Sequence, residues 1–431
     1  MPEITTPSSI MPEIHPRNSL STFLPRALEQ VVKSVTRSTP DEYDRDSEGL
    51  RKVDFRIGEE TFPIFVGHDR LDALIAKLKL HLDTFDHLFL GYDENTVKYC
   101  APQLEAALQR AGISFKTCVM GLTEANKNMA ALDHILETFL QSGGTRKTVM
   151  CPVGGGIVSN TFGLAAGLLF RGIRLVQIPT TFLNAHDAVT SKKQAINHTG
   201  YKNIVGLFHL PSLVLCDTSF YETLTRREMK AGLGELTKNA ALFGGDHYEL
   251  MKRTTMDHGW QLTPEEMTEA TFLGMSAKDM LLCQDPKEKH LALLFEYGHT
   301  VGHALELTQG VSTSHGEGVT LGMLAVSYIA WKMGIMTAED REAHDALVHA
   351  LDPEIIIPDR DCLAEVMDKV MHDNKRGYLP EREGFVPMIL NKRIGEMHKP
   401  NPMYLEYCPV DLVEESVKVL LNRYGPYKYK L

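Results

Sequence analysis

Between residues 52 and 67 apolar and polar positions alternate, with Val53, Phe55 and Ile57 on one side and polar residues between them. A period of two is that of a half-buried strand, and Gly58-Glu59-Glu60 predicts the turn that brings it back as a hairpin. Short apolar runs follow at 87–93, 114–120, 148–156, 173–179 and 212–218, with helical patterns between them, notably 95–111 and 124–142. Strands alternating with helices predict a largely parallel sheet covered by helices. From about Thr225 strand signals nearly vanish. Amphipathic stretches at 226–243, 264–284, 293–308, 316–333, 338–350 and 411–424 predict a helical second part, with one short strand at 384–390. The first 50 residues lack periodicity and are rich in Pro, Ser, Thr and charge. They read as a flexible extension with a short helix near 24–35. The expected organisation is an extension over 1–50, an α/β domain over 51–222 and an all-helical domain over 223–431, with ligands in the cleft between the domains.

Composition narrows the function. A chain of 431 residues with 43% hydrophobic and 23% charged residues is an ordinary globular protein of about two domains. A net charge of −11 argues against a nucleic-acid partner, which needs a basic surface. It leaves room for a small anion held by a local cluster of cations. The seven cysteines, at 100, 118, 151, 216, 283, 362 and 408, have no close pairs and point to a reducing compartment. No apolar run approaches a membrane span, and the start MPEITTPSSIMPEIHP lacks the basic and apolar blocks of a signal peptide. A cytoplasmic protein with no membrane partner is the expectation.

The densest chemistry lies in 295–323, FEYGHTVGHALELTQGVSTSHGEGVTLGM. His299 and His303 stand at i,i+4, and His315 sits in a Ser-His-Gly-Glu-Gly turn that opens another helix. Such imidazoles suit a divalent metal, although solvated or core histidines explain the first two equally well. A third ligand is available upstream in AGLGELTKNA, where Glu235 and Lys238 share a helix face. Gly154-Gly155-Gly156 ends a strand before a helix and offers backbone N–H groups to a pyrophosphate; a plain tight turn is the competing explanation. Asp93 and Asn95 follow the first parallel strand, where they read a ribose or adenine edge or else cap a helix. Arg171 and then PTTFLNAHDAVTSKKQAINHTGYKNIVG form a polar block at strand carboxyl ends, the place where open α/β sheets bind ligands. Cations in and beyond it, with Lys238, Lys278, His303, Lys375 and Arg376, supply a phosphate pocket if they converge; singly each is an ordinary solvated side chain.

From 52 to 425 the chain resembles the dehydroquinate synthase superfamily of sugar phosphate cyclases, through GGGIVSN, RGIRLVQIPTT, HDAVTSKKQAIN, KNIVG, AGLGELTKN, EYGHTVGHALEL, HGEGVTLGM and HDNKRGY in family order. The resemblance implies a Rossmann-like NAD-binding domain followed by a helical metal-binding domain, a homodimer, and a divalent metal, zinc or else cobalt. It implies Glu235, His299 and His315 as metal ligands. It implies an NAD shell of Asp93, Asn95, Glu124, Lys127, Gly155, Gly156, Asn160, Thr180, Thr181, Asp187, Lys202, Thr223, Leu224 and Glu228. Lys193, Lys238, Glu296 and His303 take the catalytic positions, and Arg171, Asn203, Lys278 and Lys375 the substrate positions. Dehydroquinate synthases carry Asn where this chain has Glu296, and where it has Ala292 they carry an Arg associated with a substrate carboxylate. FEYGHT, KQAIN and HDNKRGY are most similar to 2-deoxy-scyllo-inosose synthases, which cyclise glucose 6-phosphate. Valiolone-type cyclases acting on sedoheptulose 7-phosphate are near competitors. His186 and Lys192 fit neither pattern. The implied reaction is transient oxidation by NAD, β-elimination of phosphate, re-reduction and intramolecular aldol closure. A metal-dependent polyol dehydrogenase and an inactive nucleotide-binding paralogue are the alternatives.

Overall fold

The computed structural model describes residues 46–82, 84–199, 201–257 and 262–430. The helix expected near 24–35 lies outside them. Residues 46–50, inside the expected extension, are folded onto the domain: the Asp46 carboxylate accepts from the Glu48 and Leu50 N–H groups at 3.0 Å, and Leu50 is buried.

Strands β1 (Arg51–Ile57) and β2 (Glu60–Gly67) form the expected antiparallel hairpin. The parallel strands are β3 (Leu88–Tyr92), β4 (Phe115–Val119), β5 (Val149–Gly154), β6 (Val176–Pro179) and β9 (Leu213–Asp217). One seven-stranded sheet results, in the order β1-β2-β9-β6-β5-β3-β4. Residues of β3 divide between two cores: Leu88, Leu90 and Tyr92 enter the main one, Phe89 the smaller one. Burial on both faces is why such strands read as continuous apolar runs. The polar block holds a separate hairpin, β7 (Lys193–His198) and β8 (Tyr201–Phe208).

Helices α1 (Leu71–His81), α2 (Glu94–Tyr99), α3 (Ala101–Arg110), α4 (Met129–Gln141), α5 (Gly156–Leu168) and α6 (Phe182–His186) accompany the sheet. The single helix expected over 95–111 breaks at Cys100, because Pro102 suits the first turn of a new helix and not the interior of an old one. The main core runs without interruption from the hairpin β1–β2 into the helical part. That part comprises α7 (Arg226–Phe243), α8 (Gly245–Met251), α9 (Pro264–Leu282), α10 (His299–Glu306), α11 (His315–Lys332), α12 (Ala338–Leu351), α13 (Leu363–Met371) and α14 (Val410–Tyr424). The expected strand at 384–390 is Phe385–Ile389, paired with Leu405–Pro409. Among the described residues no helix is long and apolar enough to cross a membrane.

From β3 the chain crosses to β4 on one side and then returns past β3 to β5 on the other. The carboxyl ends of β3 and β5 therefore flank the point where the winding reverses, the crevice in which open α/β sheets hold ligands.

Candidate active site and metal centre

Three helices meet where glycines remove the side chains between them. A Cβ added to Gly234 on α7 would stand 2.4 Å from the Gly316 carbonyl oxygen, and one on Gly302 of α10 would stand 2.7 Å from that of Gly318. Gly298, at φ +78°, turns the chain sharply into α10. This close approach brings Glu235, His299 and His315 together. Glu235 Oε1 lies 3.6 Å from His299 Nε2 and 3.5 Å from His315 Nε2. Two ligand atoms about 2.1 Å from a tetrahedral ion stand about 3.4 Å apart, so the spacing fits a shared cation. Glu235 Oε1 is buried and has no hydrogen-bond partner, whereas Oε2 accepts from Lys238 Nζ at 2.5 Å. His299 Nδ1 is 3.1 Å from the Tyr297 carbonyl, which can only accept, so its Nε2 keeps the free lone pair. A buried oxygen without a partner, facing two imidazole nitrogens, suits a divalent metal, and His303 stands close by, its ligand atom within 4.8 Å of those of His299 and His315.

Charge is arranged accordingly. Burial opposes ionisation of Glu235, yet Lys238, His315 and His299 hold its carboxyl well below the usual range. Burial, with Lys238 beside it, pushes the His299 imidazole down to about 3. Burial also pulls on His315, but the carboxylates of Glu235 and Glu306 outweigh it and lift that ring to about 10.

A cavity of about 650 Å³ opens beside these groups, lined by Asn160, Lys193, Asn203, Lys238, Lys278, Glu296, His299, His303 and His315, among others. Each lysine meets an acid. Lys193 Nζ is 2.6 Å from Glu288 Oε2, Lys278 pairs with the Asp187 carboxylate, and Lys375 Nζ lies 3.3 Å from Glu296 Oε2 and 2.8 Å from Asp373 Oδ1. Lys238 and Lys375 are buried. Burial favours the neutral form of Glu296, but Lys375, His299 and His303 together keep its carboxyl far below the ordinary range. A second region of about 700 Å³ shares Asn160, Asp187, Asn203, His303 and His315 with the first and adds Glu124, Lys127, Lys202 and Glu306. A third, of about 400 Å³, lies at the crevice and is lined by Asp93, Asn95, Gly155, Gly156, Thr180, Thr181, Thr223, Leu224 and Glu228. Gly156 and Thr181 line both of the last two, so the cleft is continuous from the crevice to His315.

Several expected nucleotide contacts also have local work. Asp93 caps α2, accepting from Asn95 and Thr96 N–H groups at 2.9 and 2.7 Å, so cap and cleft readings coexist. Glu228 closes a capping box with Thr225. Lys127 donates to Asn203 at 2.7 Å, Asn197 to Glu124 at 2.8 Å, and Lys202 to Glu306 at 2.9 Å. Arg171 is exposed just beyond the far end of α5, about 20 Å of helix from Gly156, and lines none of the three regions of this chain. The helix starts at the strand carboxyl ends and runs to the opposite edge, so the residue after it emerges away from this chain's own cleft. Lys192 pairs with Glu60 at 2.7 Å and lies over Phe208, outside those regions too. His186 is buried against Phe182 with no partner for either ring nitrogen. Arg376 pairs with Glu381 at 2.8 Å. The sequence reading passed over Glu288 and Glu306. Glu306 had a signal, standing three residues after His303 on the same helix; Glu288 had none.

The 3-dehydroquinate synthase N-terminal family matches residues 117–231, and the 3-dehydroquinate synthase C-terminal family matches residues 232–376. A 2-deoxy-scyllo-inosose synthase of Micromonospora echinospora is 34% identical over 378 residues, 85% of this chain and 91% of that protein. A crystal structure of 2-deoxy-scyllo-inosose synthase complexed with carbaglucose-6-phosphate, NAD+ and Co2+ superposes with a TM-score of 0.76 at 31% identity, covering 85% of this chain and 99% of that one. A 2-epi-5-epi-valiolone synthase from Streptomyces hygroscopicus subsp. jinggangensis 5008 shares the fold, with a TM-score of 0.71 at 22% identity over 85% of this chain and 99% of its own. With matched sequence across both parts of the fold and a shared three-dimensional arrangement, the chain belongs to the 3-dehydroquinate synthase family of sugar phosphate cyclases.

Proposed function

We propose that this protein converts glucose 6-phosphate to a carbocyclic ketone with release of inorganic phosphate, as a 2-deoxy-scyllo-inosose synthase does. One arrangement carries the reading: a carboxylate and two imidazoles converge beside a cleft that also gathers three lysines, Lys193, Lys238 and Lys278. Glu235, His299 and His315 hold a divalent metal, zinc or cobalt, and the crevice residues from Asp93 to Glu228 hold NAD. Residues 51–222 then form the cofactor-binding domain and 223–431 the metal- and substrate-binding domain. When bound, the metal polarises neighbouring substrate oxygens and NAD takes up and returns a hydride.

The chain's own groups do the rest. Lys193, Lys278 and His303, with Asn203, receive the phosphate and orient it as a leaving group; their acidic partners keep the empty cleft from repelling itself. Glu296 is held ionised, so near neutrality it accepts a proton, the one that must leave carbon before phosphate departs. Lys238 is fixed between Glu235 Oε2 and the Phe295 carbonyl, 2.5 and 2.9 Å away, where it steadies the carboxylate and reaches the substrate oxygen beside it. Confinement in the cleft then favours ring closure, because both reacting ends belong to one molecule.

Glucose 6-phosphate is favoured over a carboxylated acid because Ala292 is buried and offers no cation. It is favoured over a heptulose phosphate by the relatives' identity and by the solved complex with carbaglucose-6-phosphate. The working unit in this reading is a cytoplasmic homodimer. Parallel incubation with glucose 6-phosphate and sedoheptulose 7-phosphate tests the proposal. Phosphate release, a product lighter by phosphoric acid and no accumulating NADH are expected with the first. NADH accumulation without phosphate release would instead make the protein a polyol dehydrogenase.

A further inference from the structure

We propose that Glu306 is a positioning residue for His315, and that Lys202 behind it makes the β7–β8 hairpin part of the metal centre. The inference rests on His315 being a ligand, as read above.

His299 and His315 are secured differently. The His299 side chain is 8% exposed and anchored by the Tyr297 carbonyl; the His315 side chain is 29% exposed, at the first residue of α11. The second ring stacks on His303, with centroids 5.5 Å apart, and Glu306 fixes which nitrogen faces away from the carboxylate of Glu235: its Oε2 lies 3.2 Å from His315 Nδ1. An ionised carboxylate only accepts, so a hydrogen is kept on Nδ1, and Nε2, 3.5 Å from Glu235 Oε1, is the nitrogen left to give up its proton to a metal.

The place of Glu306 in the fold makes the same point. It is the last residue of α10, where the helix dipole disfavours a carboxylate and helix stability alone would select a cation. Two cationic or donor groups offset that disadvantage, His315 Nδ1 and Lys202 Nζ, the latter 2.9 Å from Oε1. Lys202 belongs to β8, and the hairpin is tied to the 124–127 loop by Lys127–Asn203 and Asn197–Glu124. The route Lys202–Glu306–His315 therefore joins the nucleotide side of the cleft to the metal side. The resemblance alone would place Lys202 on the cofactor; the geometry turns it toward Glu306.

The test is zinc affinity of the full chain, measured by competition with a chromophoric chelator, with circular dichroism and melting temperature recorded for each variant. Glu306→Ala is expected to fold and to bind zinc 10- to 100-fold more weakly. Glu306→Gln should recover part of the loss, since its carbonyl oxygen still accepts from Nδ1–H. Lys202→Met should weaken zinc binding a few-fold, about as a lost partner of an exposed pair would. Unchanged affinity in Glu306→Ala, beside a large loss in His315→Ala, would overturn the positioning role while leaving the ligand reading intact. Unchanged affinity in His315→Ala would overturn the ligand reading itself. If Lys202→Met weakens NAD binding and leaves zinc affinity alone, the hairpin half of the proposal fails.

Discussion

A methyl group placed on Gly316 would stand 1.9 Å from the carbonyl oxygen of Ala231. The two residues mark the crossing of α11 over α7, one residue after His315 and four before Glu235. A clash with backbone cannot be relieved by turning a side chain, so Gly316→Ala must push the helices apart. Overpacking of this kind costs about 1–3 kcal/mol and moves the carboxylate away from the imidazole. The expected result is a lower melting temperature together with at least about a tenfold loss of zinc affinity. Gly318→Ala, where the nearest atom is the Gly302 carbonyl oxygen at 3.1 Å, should do less on both counts. Calorimetry and chelator competition on the two variants check the ordering.

Metal uptake should depend on pH through one ring. In the metal-free protein His315, raised to about 10, is charged across the neutral range, and His299, pushed to about 3, is not. A metal needs both Nε2 lone pairs, so binding displaces one proton, from His315. Apparent zinc affinity should rise roughly tenfold per pH unit between about pH 6 and 9. Titration calorimetry in buffers of different ionisation enthalpy should show about one proton released per ion. The sign for stability is the reverse. A raised imidazole stabilises the metal-free fold fully below its ordinary 6.5, and that contribution fades as pH rises toward 10.

Beneath the site, the Tyr297 hydroxyl donates to Asn391 Oδ1 at 2.7 Å and lies 2.9 Å from His344 Nε2. His344 Nδ1 is 3.0 Å from Asp345 Oδ1, which accepts from Ser327 at 2.6 Å. Tyr297, His344, Asn391 and Ser327 are all fully buried. Tyr297→Phe leaves two polar groups unpaired in a dry core and should cost about 1–3 kcal/mol in urea unfolding. Tyr427→Phe, at a position 40% exposed, should cost far less. Because Tyr297 joins Glu296 to His299 along the chain, the first variant should also weaken zinc binding; the second should not.

The elements legible in the sequence were those whose burial follows a simple period. Strands β3 and β5 announced themselves as apolar runs because both their faces are covered. Helix α7 was bounded correctly and α11 to within one residue at each end, and both begin at capping boxes, Thr225 with Glu228 and Ser314 with Glu317. The β7–β8 hairpin was not visible, since β8 leaves most of its residues exposed and so lacks an apolar alternation. In the site, motif order carried Glu235, His299 and His315 across long separations, but it could not show which acid each lysine meets. Lys193–Glu288 and Lys202–Glu306 depend on how the hairpin lies over the helices, a relation that no local pattern encodes. Arg171 shows the complementary limit: it and Gly156, close in sequence, lie at opposite ends of α5.

Lys375 offers the sharpest test of the proposed base. Its side chain is 1% exposed, and its Nζ lies 3.3 Å from Glu296 Oε2. Burial drives the Glu296 carboxyl toward the neutral form, and Lys375 is the largest influence opposing that. Lys375→Met removes the opposition, so the carboxyl must protonate at a higher pH. A base is active only above its own pKa, and the acid limb of kcat/KM should therefore move to more alkaline pH by about one unit or more. Near neutrality the carboxylate stays ionised, so the loss of rate should be concentrated on the acid side of the profile. Lys375→Arg keeps the charge and should hold the limb in place even if its different shape slows turnover. An acid limb that stays put in Lys375→Met would mean that Glu296 is not the group whose ionisation governs the reaction.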